Sequence, residues 1–131
     1  MARILVVDDD AGVTGTVEAM LFGTGHEVTC ENKSMHVAGI LSTEIFDLII
    51  SDVFMPDCDG IELVLRIKKA SPETKILIMT GGGRLFPSGS QALGNIMGSA
   101  EVFGANAAIM KPFKRQQLVD AVAGLVGQPE T

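Results

Sequence analysis

Four apolar runs in this chain each end in a polar group that could do chemistry. Ile4–Val7 runs into Asp8, Asp9 and Asp10; Leu48–Ile50 runs through Ser51 into Asp52; Ile76–Met79 runs into Thr80; and Ala107–Met110 runs into Lys111-Pro112. Carboxylates crowded together repel, so such a set needs a cation or a proton. An all-oxygen donor set with one Lys nearby suits Mg²⁺, which keeps several waters and favours phosphate company. A hydroxyl and an ammonium beside that ion would bind the remaining oxygens of a phosphoryl group. One carboxylate is then left to act as an aspartyl nucleophile. A single Asp at a strand end ordinarily caps the next helix; the weight here lies in four segments converging.

Convergence requires a particular scaffold. The apolar runs are short and rich in Ile, Val and Leu, and segments of helical period separate them. Val13, Val17, Met20 and Leu21 mark a first helix that Gly23 and Gly25 stop. Val28 to Cys30 is a weak strand, followed by a short helix of Met35, Val37, Ala38 and Leu41 that Ser34 is expected to cap. Ile61, Leu63, Val64, Leu65 and Ile67 mark a helix ending before Pro72; Leu93, Ile96, Met97, Ala100 and Phe103 mark another. Leu118, Val119, Val122, Leu125 and Val126 form the last. Strands apolar on both faces, each followed by a helix, predict a five-stranded doubly wound parallel α/β sheet. In such a sheet the carboxyl ends of the strands share one edge, where ligands bind.

The chain has 131 residues, 10 Lys+Arg against 16 Asp+Glu and a formal charge of −6. That length predicts one domain, residues 1–127, with 128–131 a frayed tail. The acidic balance argues against binding nucleic acid or anionic lipid. Cys30 and Cys58 form no metal spacing or disulfide framework, and the N-terminal apolar run is too short for a membrane span, so a cytoplasmic protein is expected. There are six Phe but no Tyr, which excludes any mechanism needing a phenol.

The strings ILVVDDD, DLIISDVFMPDCDG, ILIMTGG and GANAAIMKPF resemble the receiver domain of two-component response regulators, from Arg3 to about Gly127. The resemblance implies a flavodoxin-like sheet of strand order 2-1-3-4-5 with five helices. It implies that Asp52 accepts a phosphoryl group from a sensor histidine kinase or a histidine phosphotransfer protein. Asp8 and Asp9 match the metal-site pair, and with Asp52 and the backbone carbonyl of Phe54 they would hold Mg²⁺. Thr80 matches the switch hydroxyl, and Lys111 the ammonium that contacts the phosphoryl group. The Lys-Pro pair often has a cis bond in the family. With no second domain expected in 131 residues, the reading is a stand-alone phosphoacceptor switch rather than an enzyme, read by a downstream protein or by onward phosphorelay.

Three departures from the family pattern stand out. Ala108 occupies the position, three before Lys111, where receivers commonly carry Tyr or Phe. The stretch from Thr80 to Lys111 is longer than usual, the excess lying in the Gly-rich segment 81–90, where Arg84, Leu85 and Phe86 are expected to help form a partner surface. Phe54, two after Asp52, is expected to shield the phosphoryl group on one side while Gly82 leaves the other open. Among weaker signals, His26 and His36 have no partner at ligand spacing, Cys58 near Asp52 reads as an inert loop thiol, and Gly81-Gly82-Gly83 lacks the Lys-Ser/Thr of a P-loop. An aspartyl phosphatase would carry its nucleophile after the first strand. A flavin-nucleotide binder would want hydroxyls where Asp8–Asp10 stand, and a phosphorylation-independent pseudo-receiver would not need the full acceptor set.

Overall fold

The computed structural model describes residues 2–52, 54–55, 58–81 and 104–127. In chain order these form β1 (Arg3–Val7), α1 (Ala11–Leu21), β2 (Glu27–Glu31), a 3₁₀ turn (Ser34–His36) and α2 (Val37–Thr43). Then come β3 (Leu48–Asp52), the short strands β4 (Phe54–Met55) and β5 (Cys58–Asp59), α3 (Gly60–Ala70), β6 (Lys75–Gly81), β7 (Ala107–Lys111) and a last helix, α4 (Arg115–Val126). The five long strands make one parallel sheet of order β2-β1-β3-β6-β7, the expected 2-1-3-4-5 arrangement. Four of the five expected helices lie among the described residues; the helix expected from Leu93 to Phe103 lies outside them, as do segment 82–90 and the tail 128–131.

The alternation of a strand sorts its side chains onto two faces. Leu5, Val7, Ile49, Ile76 and Ile78 point toward Val37 of α2 and Leu63, Val64 and Ile67 of α3. Ile4, Val6, Leu48, Ile50, Leu77 and Met79 point toward Val17 and Leu21 of α1 and Leu118 and Val122 of α4. β3 is buried along its whole length, so its register against β1 and β6 is fixed by the packing on both faces.

Local signals explain most helix limits. Asp10 caps α1, its side chain accepting the Gly12 N–H at 2.8 Å. The helix stops at Phe22 because Gly23 and Gly25 take φ near +87°, a region that favours glycine. The start of α2 differs from expectation. Ser34 is buried inside a 3₁₀ turn whose own N-cap position falls on Lys33, while the N-cap position of α2 falls on His36, and neither makes a side-chain cap bond. The Lys33 N–H donates to the Glu31 carboxylate at 2.9 Å. Beyond Asp52 stands an unanticipated feature: β4 and β5 pair antiparallel, Phe54 opposite Asp59 and Met55 opposite Cys58.

Candidate functional site

The carboxyl ends of β1, β3, β6 and β7 deliver the expected groups to one edge of the sheet. Asp8 follows β1 and is 1% exposed; Asp52 closes β3 and is 6% exposed. One carboxylate oxygen from each of Asp8, Asp9 and Asp52 lies within 4.8 Å of the others. Lys111, the last residue of β7, reaches between two of them, its Nζ donating to Asp8 Oδ2 at 3.0 Å and to Asp52 Oδ2 at 3.2 Å. Three carboxylates and one ammonium thus leave a net negative site.

The arrangement shapes the Lys111 ammonium in turn. Burial pulls its pKa down, but the hydrogen bond to Asp8 and the charges of Asp52 and Asp8 outweigh that and hold it above its ordinary 10.5. Lys111 is therefore charged at neutral pH. It precedes a cis Lys111-Pro112 bond, as the Lys-Pro pair led one to expect.

Asp10 separates from the cluster. Its carboxylate caps α1, as above, and its own N–H donates to Asp8 Oδ1 at 2.9 Å. The general tendency of a strand-end Asp to cap a helix wins at this position. Asp8 thus has one oxygen held by backbone and the other by Lys111.

Thr80 lies within β6 and is wholly buried. Among the described residues its Oγ1 has no hydrogen-bond partner, and β-register pairs it with Met110, one residue before Lys111. A buried hydroxyl without a partner costs about 1 to 3 kcal/mol. Thr80→Val is accordingly expected to raise unfolding stability by about 1 kcal/mol, seen as a higher urea midpoint at unchanged m-value. A lower midpoint would show that the hydroxyl is satisfied in the resting state.

Phe54 opens β4, two residues past Asp52; its side chain and the whole of Gly82 lie outside the described positions. Ala108 sits half-buried against the α2/α3 face, paired with Ile78, so no aromatic stands at that point of the strand. Cys58 lies in β5. His36 pairs with Glu31 at 3.1 Å, and His26 Nδ1 accepts the Ala2 N–H at 3.1 Å; neither joins the cluster.

One residue at this edge was not anticipated from sequence. Asn32 stands just past β2, and its Nδ2 donates to the Asp8 carbonyl at 2.9 Å and to Thr14 Oγ1 at 3.1 Å. The cue that marks the other site residues, a polar group just beyond a strand end, is present at β2 as well. There it is muted by the weak apolar character of the strand.

The donor set fits a small hard cation: carboxylate oxygens from two segments, largely buried, with an ammonium already beside them. The response regulator receiver domain profile matches residues 4–123. The chain is 35% identical over 121 residues to the DNA-binding transcriptional regulator NtrC of Azospirillum brasilense, covering 92% of this chain but 23% of that protein. It is 32% identical over 128 residues to the transcriptional regulatory protein FixJ of Bradyrhizobium diazoefficiens, covering 98% of this chain and 58% of the relative. A solved receiver domain from Clostridium thermocellum superposes with a TM-score of 0.80 at 27% identity, over 96% of this chain and 94% of that one. Fold, site geometry and sequence match together place the chain in the response regulator receiver domain family.

Proposed function

We propose that this chain is a phosphoacceptor switch in which Asp52 takes a phosphoryl group from a sensor histidine kinase or a histidine phosphotransfer protein. The observation that carries the reading is Lys111 bridging Asp8 and Asp52 beside Asp9. Asp52 offers the nucleophilic oxygen. Asp8, Asp9 and Asp52, with the Phe54 carbonyl, are the groups that would hold Mg²⁺, which when bound offsets charge on the carboxylates and the incoming phosphoryl group. Lys111 is placed to release its hold on Asp52 and contact a phosphoryl oxygen instead. Thr80 holds a hydroxyl that gains a partner once such oxygens arrive.

Phosphorylation adds acceptor oxygens and negative charge at a buried point. The chain responds by shifting between arrangements that a partner distinguishes, not by turning over a substrate. Autophosphorylation from small phosphodonors and autodephosphorylation are the only reactions assigned to it. The downstream reader is a protein surface or a second histidine in a relay. The −6 charge argues against nucleic-acid contact by this segment itself, although NtrC is named as DNA-binding and is about four times longer than the matched region. Among the described residues no helix is long and apolar enough to cross a membrane; the cytoplasm, where ATP-dependent phosphodonors work, is the proposed location.

The chemical nature of the adduct tests this reading. An aspartyl phosphate formed from acetyl phosphate is discharged by hydroxylamine. An adduct that resists hydroxylamine, as a Ser or Thr ester does, would overturn it.

A further inference from the structure

Asp8 is anchored from the edge strand β2 by two different kinds of rung. Its N–H donates to the Glu31 carbonyl at 3.2 Å, an ordinary parallel-sheet contact. Its carbonyl accepts from the Asn32 side chain at 2.9 Å. The Asn32 amide therefore supplies a donor where the ladder has run out of backbone N–H groups. The two hydrogens of that amide have two acceptors, because Thr14 Oγ1 accepts the second at 3.1 Å while giving its own proton to the Ala11 carbonyl at 3.2 Å. The amide is fully used, and its orientation is set by that donor count.

The same clamp extends into α1. Thr14 is 3% exposed; its N–H donates to the Asp10 carbonyl at 3.2 Å, and its carbonyl accepts from Cys30 Sγ at 3.5 Å. The turn Asp8–Asp10 is thus held at its start by Asn32, at its end by α1, and internally by the Asp10 N–H on Asp8 Oδ1. Asp9 lies exposed on that turn, between these ties. We infer that Asn32 is a positioning residue for the cation site: it fixes the backbone that aims Asp8 and Asp9, without touching the ion.

The inference rests on the metal reading under Proposed function, and one experiment separates the two. Mg²⁺ is titrated calorimetrically into the full chain, as wild type, Asn32→Leu and Thr14→Val, with urea unfolding measured in parallel. Leu nearly matches Asn in size and donates nothing. Removing an outer partner of a metal ligand commonly costs about 10- to 100-fold in affinity, so Asn32→Leu is expected to raise the Mg²⁺ Kd at least tenfold. Thr14→Val removes only the acceptor of the second amide hydrogen and leaves the amide bond to the Asp8 carbonyl, so it is expected to raise the Kd by less than Asn32→Leu does; an equal or larger rise would overturn the inference. A folded Asn32→Leu chain with a wild-type Kd would overturn the inference and leave the metal site standing. Asn32→Ser, too short to reach the carbonyl, reads the same arm should the Leu variant fail to fold. Wild type that takes up no Mg²⁺ would overturn both.

Discussion

Lys111→Met is expected to lower unfolding stability by about 2 to 3 kcal/mol at neutral pH without divalent metal. Breaking a buried ion pair by removing one partner costs about 3 to 5 kcal/mol, because the remaining charge is left without compensation. The side chains of Asp8 and Asp52 are 1% and 8% exposed, while Lys111 is 23% exposed, and that water access places the expected loss at or below the lower end. The pH dependence has a definite sign. Because the folded-state pKa of Lys111 lies above its ordinary 10.5, its contribution is complete at lower pH and is lost as pH rises above that value. The gap between wild type and variant in urea unfolding should be flat across neutral pH and close in strongly alkaline solution. Added Mg²⁺ should recover part of the loss, since the cation offsets the same carboxylates. A gap that widened with alkaline pH would contradict this electrostatic account.

Ile50→Ala is expected to cost about 3 to 4 kcal/mol, the range for truncating a fully buried aliphatic side chain and leaving a cavity. Ile50 is 0% exposed and lies on the central strand, paired with Val6 on one side and Leu77 on the other. It packs in the cluster that joins α1 and α4 to the sheet, so neither helix can close over the gap without leaving its strand contacts. The urea midpoint should fall at unchanged m-value. Because Ile50 stands two residues before Asp52, the folded fraction should still form the phosphoryl adduct. A cost below about 1 kcal/mol would mean that the core relaxes freely around β3.

The sheet was legible because its strands are buried on both faces and therefore read as unbroken aliphatic runs, each ending in a polar residue. That same punctuation brought Asp8, Asp52, Thr80 and Lys111 to one edge before any distance was known. β2 was weaker in the sequence because it is an edge strand with no fully buried residue, and Asn32 was lost with it. Asp10 could not be told from its neighbours by type; only the geometry shows that its carboxylate serves the helix. Ser34 has the composition of a cap but lies buried inside the 3₁₀ turn, with Lys33 at the N-cap position. That the Thr80 hydroxyl has no partner among the described residues is invisible in sequence, because satisfaction is a property of neighbours in space.

The acidic excess also changes meaning. The sequence assigned Asp8, Asp9, Asp10 and Asp52 to one site, and the structure keeps three of them there. Their mutual repulsion is held in check by Lys111, which pairs with Asp8 and Asp52.

Intact mass after incubation with acetyl phosphate and Mg²⁺, for wild type and Asp52→Asn, tests the central claim most directly. The expected result is a single phosphoryl adduct on wild type, abolished by chelating the metal and absent from the variant. An adduct on both proteins would move the acceptor away from Asp52, and none on either would contradict the phosphoacceptor reading.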